Sequence, residues 1–140
     1  IIGVPDAPGI AYQILVPIGD ANIEVDVILQ NVGDEGKTDF TFTVSRSDLE
    51  KAEAILESHI AELGALEWRS DSRIAKVSVV GVGMRSHAGV AANMFKALAD
   101  VGVNIQMIST SEIKISVIIE EKFLELAVRT LHSAFGLDQP

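Results

Sequence analysis

The sequence predicts an α+β fold made of one small module used twice, over residues 1–72 and 73–140. Three observations predict it. The chain aligns with itself: Gly3 and Val4 match Gly81 and Val82, Gly9, Ala11 and Asp20 match Gly89, Ala91 and Asp100, and Leu49, Glu50, Ala52 and Leu56 match Leu124, Glu125, Ala127 and Leu131. Helical and strand spacings of apolar residues follow one another in the same order in both halves. Apolar residues make up 48% and charged residues 22%, the balance of a soluble globular protein, and 140 residues suffice for one ordinary domain or two minimal ones.

The elements justify themselves in turn. A short apolar run, Ile1-Ile2-Gly3-Val4, opens the first half as a strand. Ile10, Ile14, Ile18 and Ala21 then fall on one face of a helix, as do Val90, Met94, Leu98 and Val101 in the second half. Pro17 removes one backbone donor late in the first helix and predicts a kink or an early stop. Ile23, Val25, Val27 and Leu29 alternate as a strand does, matched by Val103, Ile105 and Met107. Val-Gly-Asp-Glu-Gly after Asn31 reads as a loop, whereas the second half has only a tight Ser111-Glu112 turn there. Phe40, Phe42 and Val44 alternate again, as do Ile115, Val117 and Ile119. A second helix closes each half, with stripes Leu49, Ala52, Leu56, Ile60 and Leu124, Ala127, Leu131, Phe135, the first of these helices capped by Ser47 and Asp48. Residues 66–70 add a short fourth strand to the first half. The pattern is β-α-β-β-α-β, the ferredoxin-like split βαβ.

The bulk numbers exclude several functions. A net charge of -9 repels nucleic acid and anionic lipid, so neither is an expected partner. No apolar run approaches the roughly 20 residues of a membrane span. With no cysteine there are no disulfides and no thiolate metal sites, which fits a cytoplasmic protein. Residue 1 is Ile, and no signal-peptide layout follows. We therefore expect the chain to be part of something longer, with a segment upstream of residue 1 supplying the fourth strand that the second half lacks.

Candidate sites lie where strands turn into helices. Pro5-Asp6-Ala7-Pro8-Gly9-Ile10 and Gly83-Met84-Arg85-Ser86-His87-Ala88-Gly89-Val90 are glycine-marked junctions. Gly9 and Gly89 let a ligand approach the backbone at a helix N-terminus, whose free N–H groups and positive dipole end suit a carboxylate or phosphate. From the residues alone, plain tight turns remain the alternative. Gly81-x-Gly83 lacks the third glycine and the downstream acid of a dinucleotide fingerprint, and no Walker-type loop is present. His59, His87 and His132 have no metal-ligand spacing, and Ser86 and Ser133 near histidines have no orienting carboxylate or oxyanion hole in context. No catalytic residue and no metal ligand is assigned.

Longer stretches carry a specific resemblance. Leu29-Gln30-Asn31-Val32, Thr38-Asp39-Phe40-Thr41-Phe42-Thr43, the run from Ala75 through Gly81-Val82-Gly83-Met84-Arg85-Ser86-His87, the run from Asn104 through Ser109-Thr110-Ser111-Glu112 to Val117, and Leu131-His132-Ser133-Ala134-Phe135 resemble the regulatory region of bacterial aspartokinase, a tandem pair of ACT domains. The resemblance covers essentially the whole chain. It implies feedback control: threonine and/or lysine binds the ACT domains and inhibits a kinase that phosphorylates aspartate. ATP and Mg would belong to the catalytic domain or subunit, not to this chain. It implies a homodimer with each site between the first domain of one chain and the second of its partner. One site would use Asp6, Ala7, Pro8, Gly9, Ile10, Ala11 and Gln30, facing Asn104 and Ile105. The other would use Met84, Ser86, His87, Gly89, Val90, Ala91 and Ser111, facing Glu24, Val25 and Asp26. Helix amides would hold the effector's α-carboxylate, strand carbonyls with Asp6 or Asn104 its ammonium group, and Gln30 or Ser111 its side chain. Glu24, Gly33 and Ala88 stand where Asn, Ser and Pro are common in the family. A dimerisation scaffold with empty sites is the alternative.

Overall fold

A computed structural model describes residues 1–81 and 87–137, with only the backbone of His87. The chain divides into two compact units, Ile1–Ser72 and Arg73–Pro140. In the first, strand β1 (Val4–Pro5) leads to helix α1 (Ile10–Asp20), then β2 (Val25–Val32), β3 (Lys37–Val44), a 3-10 turn over Arg46–Asp48 and α2 (Leu49–His59). The second repeats this as β4 (Ile74–Val80), α3 (His87–Asp100), β5 (Met107–Thr110), β6 (Lys114–Glu120), a 3-10 turn over Glu121–Phe123 and α4 (Leu124–Ala134). Both sheets are antiparallel, with orders β1-β3-β2 and β4-β6-β5. These are two α+β ferredoxin-like modules, with the strand that comes last in sequence at the centre of each sheet.

The spacing of apolar residues explains the packing. Ile10, Ile14 and Ile18 face inward from α1, and Ala52 and Leu56 from α2. Ile10, Ile14 and Leu56 meet Val4 and Phe40 in one cluster, while Ile18 and Ala52 meet Ile23 in another. Phe40 and Phe42 carry the centre of the sheet, their tilted rings 6.2 Å apart. The second core gathers Met94 and Leu98 from α3, Val77, Ile115, Val117 and Ile119 from the sheet, and Ala127 and Leu131 from α4. Burying each large side chain contributes roughly 1.5–3 kcal/mol.

Several local expectations need correction. Residues 66–70 form no strand: their contact with the sheet is a single bridge between Ile2 and Glu67. Helix α1 continues past Pro17 to Asp20, since a proline in a last turn forfeits only one late bond. Val101 lies beyond the end of α3 and is 39% exposed, and Leu124 is also exposed, with Phe123 and Leu126 packing on the core instead. Asp48 precedes α2 without a side-chain cap, because the chain enters through the 3-10 turn.

The strand after each first helix does not alternate cleanly. Val25 pairs with Val44 but Ile28 pairs with Phe42, so residues 26 and 27 share one position in a β-bulge. The Val27 N–H compensates by donating to Thr43 Oγ1 at 3.0 Å. Val25 and Ile28 therefore stand on one face, and Gln30 and Val32, opposite Phe40 and Thr38, follow Ile28 onto it. In the second unit Ile105, which precedes β5, packs on the core, and Ile108 stands opposite Val117.

Candidate functional site

The first junction is built by β1, the β2–β3 hairpin and α1. Past Pro5 the chain leaves the ladder, and the Asp6 N–H donates to Gly36 O at 2.7 Å. The Ala7 N–H folds back onto Pro5 O at 3.1 Å, and the Ile10 N–H donates to Ala7 O at 3.2 Å. Residues 5–9 are exposed, while Ile10 is buried and anchors the helix start. Gly9 caps α1 with φ 90° and ψ −4°, a left-handed conformation that glycine adopts without penalty, and offers no side-chain cap. The Gln13 N–H bonds Gly9 O, but the Ala11 and Tyr12 amides have no acceptor among the described residues. The first turn of α1 carries no acid, so its own side chains leave the positive end of the dipole uncompensated. A Cβ built on Gly9 meets nothing within 4 Å. The junction thus presents free donors, a positive pole and open space together.

Gln30 is brought to the same side. Strict alternation from Val25, Val27 and Leu29 would send it to the opposite face. The bulge instead sets it opposite Phe40 on the helix-bearing face, near the end of β2 that adjoins the exit of β1.

In the second junction α3 begins at His87. Gly89 therefore lies inside the first helical turn, unlike Gly9, which precedes its helix. Val90 and Ala91 pack partly on the core. Met84, Ser86 and the His87 side chain lie outside the described residues. Ser111 is exposed, and its N–H closes the β5–β6 turn on Lys114 O at 2.8 Å.

The residues expected to face these junctions from a partner chain lie at or just before the starts of β2 and β5. Glu24 and Asp26 are exposed, and Val25 pairs with Val44. The first junction leaves the sheet beside Lys37 and Thr38, about 20 Å along β3 at the usual rise per residue. Asn104, exposed, and Ile105 precede Met107, which pairs with Ile118, whereas β4 ends at Val80 opposite Lys114. Within either unit, then, junction and strand start occupy opposite ends of the sheet.

ACT-domain models match residues 1–61 and 77–135. The aspartate kinase of Pseudomonas putida is 64% identical over 138 residues, and an aspartokinase of Helicobacter pylori is 51% identical over 137. The chain spans about a third of the length of these curated relatives, 34% and 33%. Among solved structures, one of aspartokinase alpha and beta subunits superposes with a TM-score of 0.89 at 57% identity, covering 96% of this chain and 88% of that one. The ligand-free regulatory subunit of aspartate kinase from Thermus thermophilus gives 0.88 at 44% identity, with the same coverage. The chain belongs to the ACT-domain regulatory region of the aspartokinases. The match is to the regulatory, non-catalytic part of that family.

The ACT frame exposes one position that the sequence reading passed over. Phe40 and Ile115 hold the same place in the two central strands, and the residue opposite Phe40 is Gln30. Opposite Ile115 is Thr110, not Ser111. The offset of 80 that joins Asp20 to Asp100 also carries Gln30 to Thr110; Ser111 was implied by the family resemblance instead. Gly33 also has a physical reason: a Cβ there would clash with Lys37 O. The histidines play other parts. His59 Nδ1 lies 2.8 Å from Ile55 O within α2, and His132 is exposed on α4. No group of three or more potential metal ligands occurs among the described residues, and none of their helices is long and apolar enough to cross a membrane.

Proposed function

We propose that this chain is the feedback sensor of an aspartate kinase, binding threonine and/or lysine at its two strand-to-helix junctions and restraining the attached kinase. The observation that carries the reading is the start of α1, where a left-handed Gly9, unbonded Ala11 and Tyr12 amides and an acid-free first turn offer a seat for an α-carboxylate. Asn104 and the strand carbonyls beside it supply acceptors for the ammonium group, and Gln30 at the first site and Thr110 or Ser111 at the second reach the side chain. Because junction and strand start lie at opposite ends of each sheet, each seat is completed by the other unit, and we assign that contribution to a second copy in a homodimer. Effector binding then favours one arrangement of the paired domains. It inhibits only to the extent that it binds that arrangement more tightly than the active one.

In a second reading the module chiefly pairs two kinase chains and its sites stay empty. Thermal unfolding of the purified chain with added threonine, lysine or both separates the two. A ligand that binds only the folded state stabilises it by RT ln(1 + [L]/Kd), so the midpoint rises with ligand concentration. No rise at millimolar amino acid, with an intact dimer in sedimentation, supports the scaffold and contradicts the sensor.

A further inference from the structure

The two hairpins differ where they approach the junctions. Between Gln30 and its partner Phe40 the chain runs through residues 31–39, but between Thr110 and its partner Ile115 only residues 111–114 intervene. Residues 32–38 thus stand where the second unit has only residues 112 and 113. The extra length is folded. Val32 pairs with Thr38, Thr38 Oγ1 donates to Asn31 O, and the Lys37 N–H donates to Asp34 O at 3.3 Å. Glu35 and Gly36 both hold left-handed backbone, with φ of 60° and 71°. Gly33 must be small, since a Cβ there meets Lys37 O.

This extension reaches the first junction from the side. Thr38 and Lys37 pair with Val4 and Pro5, and Gly36 O accepts the Asp6 N–H at 2.7 Å. Just below, Asp39 Oδ1 accepts the Gly3 N–H at 3.0 Å. The Asp6–Gly36 bond ties residues 6–9 to the hairpin; the segment's other backbone bonds, Ala7 N–H to Pro5 O, Ile10 N–H to Ala7 O and Gln13 N–H to Gly9 O, run to β1 and into α1. The left-handed turn at Gly36 aims its carbonyl, and a non-glycine residue there strains the turn without any steric clash, because a Cβ on Gly36 meets nothing within 4 Å.

We infer that the hairpin extension, residues 32–38, is a positioning element of the first effector site, acting through the Asp6 N–H to Gly36 O bond, and that affinity at the second site does not depend on it. This rests on the effector reading above. The extension touches no ligand itself. It holds Asp6 and Ala7 in place, so that less of the junction must be ordered when an effector arrives.

The test titrates the full chain with threonine and with lysine by calorimetry, in a Gly89→Asp background that leaves the first site and a Gly9→Asp background that leaves the second. In the first background, Gly36→Ala weakens binding about five-fold or more, the effect of moving an alanine into left-handed backbone. Gly36→Asn, which tolerates that region, restores affinity to within about two-fold. In the second background neither change alters affinity. Unchanged first-site affinity in Gly36→Ala, or equal weakening at both sites, overturns the inference and leaves the hairpin a general structural feature. If the unmodified chain binds neither amino acid, the effector reading itself has failed and takes this inference with it.

Discussion

Gln30 stands directly opposite Phe40 across β2 and β3, and Thr110 stands opposite Ile115 across β5 and β6, so the two side chains hold equivalent places at the ends of their strands. Under the proposed function each contacts the effector side chain at its own site. Gln30→Ala should therefore weaken binding at the first site by about 1 kcal/mol, the net worth of one hydrogen bond, and spare the second. Thr110→Val, which keeps the shape and removes the hydroxyl, should do the reverse. Ser111→Ala should change affinity less than Thr110→Val. Calorimetric titration of each variant checks all three.

Gly9 separates strain from charge. Its φ of 90° penalises any side chain, yet a Cβ there meets open space. Gly9→Ala should cost about 1 kcal/mol or more of folding stability through backbone strain alone. Gly9→Asp carries the same strain and adds a carboxylate where the effector's own would dock. Denaturant unfolding should find the two variants similarly destabilised, while effector binding at the first site survives in the alanine variant and disappears in the aspartate variant. Equal binding by both would remove the helix N-terminus from the site.

The bulge can be tested through one hydroxyl. Thr43 Oγ1 accepts the Val27 N–H at 3.0 Å and is a side-chain substitute for a ladder bond. Thr43→Val leaves that donor without its partner and should cost about 1–3 kcal/mol in unfolding experiments. It should also weaken first-site binding, because a bulge that shifts register moves Gln30 off the helix-bearing face. Thr41→Val, on the same strand and with no such bond, is the control and should leave binding unchanged.

The cores should respond to truncation as close-packed interiors do. Leu98 and Met94 in the second unit and Phe40 in the first have essentially no exposed surface. Leu98→Ala should destabilise by about 2–5 kcal/mol and Phe40→Ala by about 3–5 kcal/mol. Val32→Ala, at a site 89% exposed, should fall within about 0.5 kcal/mol of the parent. Denaturant unfolding of each variant reads the difference.

Much of this architecture was legible because it rests on local periodicity. Ile10, Ile14 and Ile18 make a helix face, and Phe40, Phe42 and Val44 a strand face, whatever else surrounds them. The departures all come from partners distant in sequence. The bulge depends on Thr43, sixteen residues from Val27, so alternation in β2 alone put Gln30 on the wrong side. The expected strand over residues 66–70 had plausible residues but found only Ile2 to bridge with. At the candidate site, Gly9 and Gly89 look equivalent by alignment, yet one precedes its helix and the other lies within it, since α3 starts earlier relative to its glycine. Thr110 was within reach of the sequence, since the offset of 80 between Asp20 and Asp100 carries Gln30 to it; Ser111 entered through the family resemblance. The Asp6–Gly36 bond, joining a junction to the tip of a later hairpin, has no sequence signature at all.

The most direct test of the account is calorimetric titration of the purified chain with threonine and with lysine, separately and then each in the presence of the other. The account predicts saturable binding of at least one of them, with a stoichiometry that falls when Gly9 is changed to Asp. An absence of heat from both amino acids at millimolar concentration, with a correctly folded dimer in the cell, would contradict it.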